Sequence, residues 1–127
     1  MPHTTTWESK GVYRHFNGLV TGEEILESNF KLQADSRFEV IDYVINDFTR
    51  VTDHTVTLAD TNAYAVTDEI AANEKPSLNI AIIVTKKDLF EVADMYCELM
   101  KAMKYNSKTF KTIKQARSWV ALDTIKP

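Results

Sequence analysis

The chain has few of the residues from which catalytic signatures are built. One cysteine, Cys97, excludes an internal disulfide and leaves no second thiol for a metal pair. The only glycines are Gly11, Gly18 and Gly22, too few and too scattered for the glycine-rich loops that cradle phosphates. His3, His15 and His54 share no zinc-site spacing, so no metal is expected. The longest strongly apolar stretch, Leu78 to Val84, is interrupted by Asn79 and falls far short of the ~20 residues that cross a bilayer. Met1-Pro2-His3 opens a polar start without the apolar segment of a secretory leader. Together with the lone cysteine, this sets a cytoplasmic expectation.

What is present suits one ordinary domain over residues 1–127, with 44% hydrophobic and 26% charged residues. The formal charge of −3 hides an asymmetry. Residues 1–100 hold 8 Lys+Arg against 17 Asp+Glu. The remainder holds Lys101, Lys104, Lys108, Lys111, Lys114, Arg117 and Lys126 against Asp123 alone. A basic tail on an acidic body suits an anionic lipid surface or an acidic partner, with a solvated polar face as the plain alternative. Nucleic acid is not expected, because the chain is acidic overall and only Tyr105 and Phe110 in the tail offer stacking groups.

In chain order, Thr4–Ser9, anchored by Trp7, and Val12–Phe16 read as a hairpin turned at Gly11, with Leu19-Val20 continuing the sheet. Thr21 and Glu24 form a capping box opening a helix with Ile25, Leu26, Phe30 and Leu32 inward, ended by Asp35-Ser36-Arg37. Val40–Phe48 reads as an inner strand, apolar on both faces. A Thr/Asp/His-rich link leads to a second helix from Thr57, paired with Asp60, to about Asn73, with Ala59, Ala63, Val66 and Ile70 inward. Lys75-Pro76-Ser77 breaks it, and Ile80–Val84 is read as the central strand. A third helix follows from about Lys87 to Met103, then a strand at Thr109–Ile113 and a helix at Gln115–Leu122. The order β-β-α-β-α-β-α-β-α argues for an α/β domain with a mixed, mainly parallel sheet, the hairpin at one edge and helices packed around it.

Three segments carry a resemblance. Gly11–Thr21 (GVYRHFNGLVT), Tyr43–Thr52 (YVINDFTRVT) and Thr112–Val120 (TIKQARSWV) resemble the SpoIIAA-like family, a branch of the STAS architecture that includes bacterial anti-sigma-factor antagonists. The resemblance spans nearly the whole chain and implies that fold. In the antagonists a phosphorylated serine precedes the second helix. The matching positions here are Thr55-Val56-Thr57-Leu58, without the Asp and Gly of the motif, which leaves Thr57 as the one candidate acceptor. The resemblance implies a protein-interaction regulator with Asp47, His54, Thr55 and Thr57 at the contact edge. The same architecture is similar to CRAL-TRIO lipid-binding domains.

The third helix supplies a separate signal. Its apolar residues spread over roughly 220°, about twice what covering a sheet requires, and three of the chain's four methionines lie on it. The expectation is non-enzymatic binding of a hydrophobic or lipid-like ligand by Leu89, Phe90, Val92, Tyr96, Leu99, Met100 and Met103. Lys101, Lys104, Lys108 and Lys111 would meet an anionic membrane surface in peripheral association. A second copy covering the wide apolar face would make a homodimer. No cofactor is expected. Asp47, Asp53 and His54 offer an acid and a base if they converge, though turn chemistry explains them as well.

Overall fold

Residues 11–20 make the strand from which the sheet is built. The computed structural model describes residues 3–125, with side chains through Ala121. The Met1-Pro2 start and the charges of Asp123 and Lys126 lie outside that description. Strand β1 (His3–Trp7) pairs antiparallel with β2 (Gly11–Val20). From β2 the sheet advances one strand at a time, in parallel, through β3 (Tyr43–His54), β4 (Asn79–Ile83) and β5 (Asn106–Phe110). Crossovers of one hand in a sheet that grows in one direction place every connecting helix on the same face. Helices α1 (Gly22–Ala34), α2 (Leu58–Ala71) and α3 (Lys87–Met100) accordingly share one core with Val12, Val44, Phe48, Ile80 and Ile82. Helix α4 (Ile113–Ile125) covers the opposite face, where Ala116 and Val120 meet Tyr43, Ile45, Ala81 and Ile83.

The helix starts follow the capping signals. The Thr21 hydroxyl accepts from the Glu24 amide at 3.1 Å, and Thr57 does the same for Asp60 at 3.1 Å, each with the reciprocal side-chain bond. Strand β2 runs through Asn17-Gly18 on two register shifts, and Gly18 takes φ +68°, where a side chain is disfavoured. Arg117 of α4 clasps Glu8 of the β1–β2 turn through two bonds of 2.9 and 2.7 Å, fastening the N-terminal hairpin to the last helix.

Several expected details are corrected. Val40 is 71% exposed in a 3₁₀ turn (Ser36–Val40), and the strand begins at Tyr43 and continues to His54, so Val51-Thr52 is strand rather than turn. The middle of the sheet is β3, with β4 between it and the edge strand β5. Strand β5 lies three residues before the expected Thr109–Ile113. Ile113, half exposed, opens α4 instead, and the Gln115 amide donates to the Thr112 hydroxyl at 3.2 Å. Helix α1 leaves Phe30 exposed and buries Ser28 and Asn29. Helix α2 leaves Ala59, Val66 and Ile70 outside and turns Thr61, Tyr64, Ala65 and Asp68 inward. Two helices thus bury polar residues while apolar ones face water. The cause is a charge inside the sheet's main face.

Candidate functional site

Alternation along β2 places Val12, Arg14 and Phe16 on the face covered by α1, α2 and α3. Arg14 is 3% exposed. A guanidinium at that depth loses its hydration and must recover it from protein acceptors. Asn46, its cross-strand partner on β3, accepts from Nε at 2.8 Å. Ser28 accepts from Nη1 at 2.9 Å and Asn29 from Nη2 at 2.8 Å. That requirement sets the rotation of α1, since Ser28 and Asn29 face inward to serve Arg14 and Phe30 is turned out. All three partners are neutral. Burial lowers the Arg14 pKa to about 10, against the pull of Asp68 and Tyr96, which leaves it charged at neutral pH.

Asp68 of α2 is 7% exposed. It accepts from Gln33 Nε2 of α1 at 2.8 Å and from the Tyr96 hydroxyl of α3, so one carboxylate joins three helices. Burial raises its pKa to about 6, opposed by the bonds from Tyr96 and Gln33 and by the charge of Arg14. No hydrogen bond or ion pair links Arg14 to Asp68 directly. The Tyr64 hydroxyl, also on α2, donates to the Gly22 carbonyl at 2.7 Å and fixes the start of α1 against it.

Between the sheet and helices α1, α2 and α3 lies a partly open cavity of about 80 Å³. Its apolar wall includes Val44, Phe48, Ile82, Leu89 and Val92, and its polar wall is Arg14, Asn29, Asn46, Asp68 and Tyr96. A second concavity, of about 370 Å³, lies between the end of α3, β5 and Trp119 of α4, lined by Cys97, Met100, Lys101, Met103 and Tyr105 among others. The Tyr105 hydroxyl is buried without a hydrogen-bond partner among the described residues.

The residues singled out from sequence separate into distinct places. Leu89, Val92 and Tyr96 line the cavity beneath the helices. Met100 and Met103 line the second concavity, Leu99 packs against the core, and Phe90 is 41% exposed on the outer face of α3. Asp47 is not at an exposed edge. It is 6% exposed in the middle of β3 on the α4 side, accepting from the Tyr13 hydroxyl and from the amide and hydroxyl of Thr49. Burial works against its ionised form, but those hydrogen bonds outweigh it and lower its pKa. His54 is about seven strand residues, roughly 23 Å, further along. Its Nδ1 accepts from the Val56 amide and its Nε2 lies 3.2 Å from Asp88 of α3. Asp47 and His54 therefore do not form an acid–base pair. Thr55 and Thr57 are exposed, with Thr57 serving as the cap of α2. Lys101, Lys104, Lys108 and Lys111 are exposed; Lys101 pairs with Glu98 at 2.8 Å, and the Lys108 ammonium lies 5.7 Å from the Phe110 ring centroid.

The polar wall was missed by reading apolar periodicity alone. Its signal was available: a charged residue at the inward position of the alternation Val12, Arg14, Phe16, facing Asn46 in the alternation Val44, Asn46, Phe48.

The same architecture occurs in a solved structure. An uncharacterized protein of the DUF3478 family with a SpoIIAA-like fold, from Shewanella loihica PV-4, aligns with a TM-score of 0.57, covering 93% of this chain and 91% of that one at 13% identity. The protein thus has a SpoIIAA-like fold, and identity at that level carries the fold alone. No protein-family model and no curated protein matches the chain. No described helix is long and apolar enough to cross a membrane.

Proposed function

We propose that the protein binds a small amphipathic molecule, without turning it over, in the cavity between the sheet and helices α1, α2 and α3. The supporting observation is the cavity itself, about 80 Å³ with an apolar wall facing a polar one. The hydroxyls in the lining are engaged, Thr61 with the Leu58 carbonyl, Tyr64 with the Gly22 carbonyl and Tyr96 with Asp68, so none is presented to a guest as an activated nucleophile. The size of the cavity restricts the guest. A cavity of ~150 Å³ takes up benzene, so this one suits a molecule of a few carbons, and a full acyl chain would require α3 to move outward.

An amide NMR titration of the full chain with 1-butanol and with butyrate tests the reading. Saturable shifts centred on Val44, Leu89, Val92 and Tyr96 are expected. Shifts confined to the outer face around Phe90 and Met95, or none that saturate, would sink it.

A second reading is supported by a different surface. Helix α2 leaves Leu58, Val66 and Ile70 more than half exposed, next to the Thr57 cap, and a SpoIIAA-like fold is compatible with a protein-interaction role. A second copy of the chain is the proposed occupant, and Ile70→Lys should shift sedimentation toward monomer. A wild-type profile that is already monomeric at NMR concentration counts against it. The exposed lysines at 101, 104, 108 and 111 support an accompanying proposal of peripheral binding to anionic vesicles, with Gln at all four positions expected to reduce co-sedimentation. Equal binding to anionic and neutral vesicles would remove that proposal.

A further inference from the structure

The polar wall bears on the chemical class of the guest. An arginine carries five N–H donors. Three of those on Arg14 are taken, by Asn46, Ser28 and Asn29, and none of the acceptors is charged. Hydrogen bonds from a cation to a carboxylate are roughly twice as strong as neutral ones, and a buried cation is ordinarily matched by one. Asn46 and Asn29 differ from aspartates only in an NH₂ for an oxygen. Either as Asp would neutralise Arg14 where it stands, and both are amides. Asp68, the one carboxylate in the lining, bonds to Gln33 and Tyr96 instead. The guanidinium therefore borders the cavity with two donors unclaimed by protein side chains. A cationic guest would be repelled by the guanidinium, and a purely apolar one would leave those donors without an acceptor.

We propose that the cavity takes a short-chain monocarboxylate, its carboxylate on the free donors of Arg14 and its tail against Phe48, Ile82 and Leu89. By the volume argument the tail is short, on the order of one to three carbons beyond the carboxylate. This inference rests on the proposed binding role and names the class of its ligand.

Calorimetry on the full chain at neutral pH, with butyrate and 1-butanol as probes, separates the two claims. Wild-type protein should bind butyrate at least about tenfold more tightly than butanol, as expected for a hydrogen-bonded charge. Arg14→Gln should abolish that preference, but it also removes a buried hub and risks the fold. Asn29→Asp avoids the risk, because the Asp oxygen keeps the bond to Nη2 while supplying an internal counter-charge. That variant should be at least as heat-stable as wild type and lose roughly tenfold or more in butyrate affinity, so that the preference for butyrate over butanol disappears. Equal wild-type affinity for the two probes, or unchanged butyrate binding in Asn29→Asp, would overturn the carboxylate assignment and leave the cavity reading standing. Binding of neither probe would overturn both.

Discussion

Asp68 is a carboxylate held in the protein interior by two hydrogen-bond donors and no direct ion pair, and its protonation carries a signature in stability. Burial raises its folded pKa to about 6 from an ordinary value of 3.8. Between those values the folded state holds a proton that the unfolded chain has released, so stability falls as pH rises from about 4 to about 6 and is level above that. At ~1.4 kcal/mol per pKa unit the change amounts to at most about 3 kcal/mol. Glu8 and Asp47 act in the opposite sense. Their pKa values are lowered in the fold, so the stability they contribute is lost on acidification. Subtracting an Asp68→Asn profile cancels their contribution. Denaturant unfolding of wild type and variant should therefore diverge across pH 4–6, with wild type relatively more stable at the acid end. Parallel profiles would show that Asp68 titrates normally. At this scale the sequence was least legible. Arg14 and Asp68 interact through the fold, 54 positions apart in the chain, and no local spacing relates them.

Among the elements, α1 and α2 show where apolar periodicity gives way. Counting apolar residues turned Phe30, Val66 and Ile70 inward, yet all three are more than half exposed. A buried guanidinium without acceptors costs more than an apolar side chain left in water, so Ser28 and Asn29 take the inner positions of α1, while Asp68 of α2 faces inward to accept from Gln33 and Tyr96. Phe30→Ser should then change stability by less than about 0.5 kcal/mol, whereas Leu32→Ala, on the buried side of the same helix, should cost about 2–4 kcal/mol. Chemical denaturation of the two variants checks this, and a large loss for Phe30→Ser would contradict the assigned rotation. The capping boxes at Thr21 and Thr57 were legible because each is a local contract between residues three apart. The apolar arc of α3 is wider than one sheet face requires, with Phe90 and Met95 left 41% and 39% exposed. Its residues were assigned to one surface, and they divide among the cavity (Leu89, Val92, Tyr96), the second concavity (Met100, Met103), the core (Leu99) and solvent (Phe90). Which arc of a helix meets which neighbour depends on crossing geometry that a single helix's sequence does not encode.

At the scale of the molecule, the order of strands and helices and the mainly parallel sheet follow from punctuation and periodicity, and the SpoIIAA-like resemblance agrees with the structural likeness. A sheet that winds in one direction stacks three helices on one face, and the space beneath them is where a charge on the central strands produces a polar-walled cavity. This space is proposed to be a binding site and not a packing defect. Ala93, buried on α3 within the lining, permits a direct test, because methionine there is helix-compatible and flexible enough to fill the space. The deciding measurement is an amide NMR titration with butyrate and with 1-butanol on wild type and Ala93→Met side by side. Saturating shifts around Arg14 and Leu89–Tyr96 are expected in wild type, and none in a variant whose own spectrum shows it folded. Equal shifts in the two proteins, or no saturation in wild type with either butyrate or 1-butanol, would contradict a binding site here.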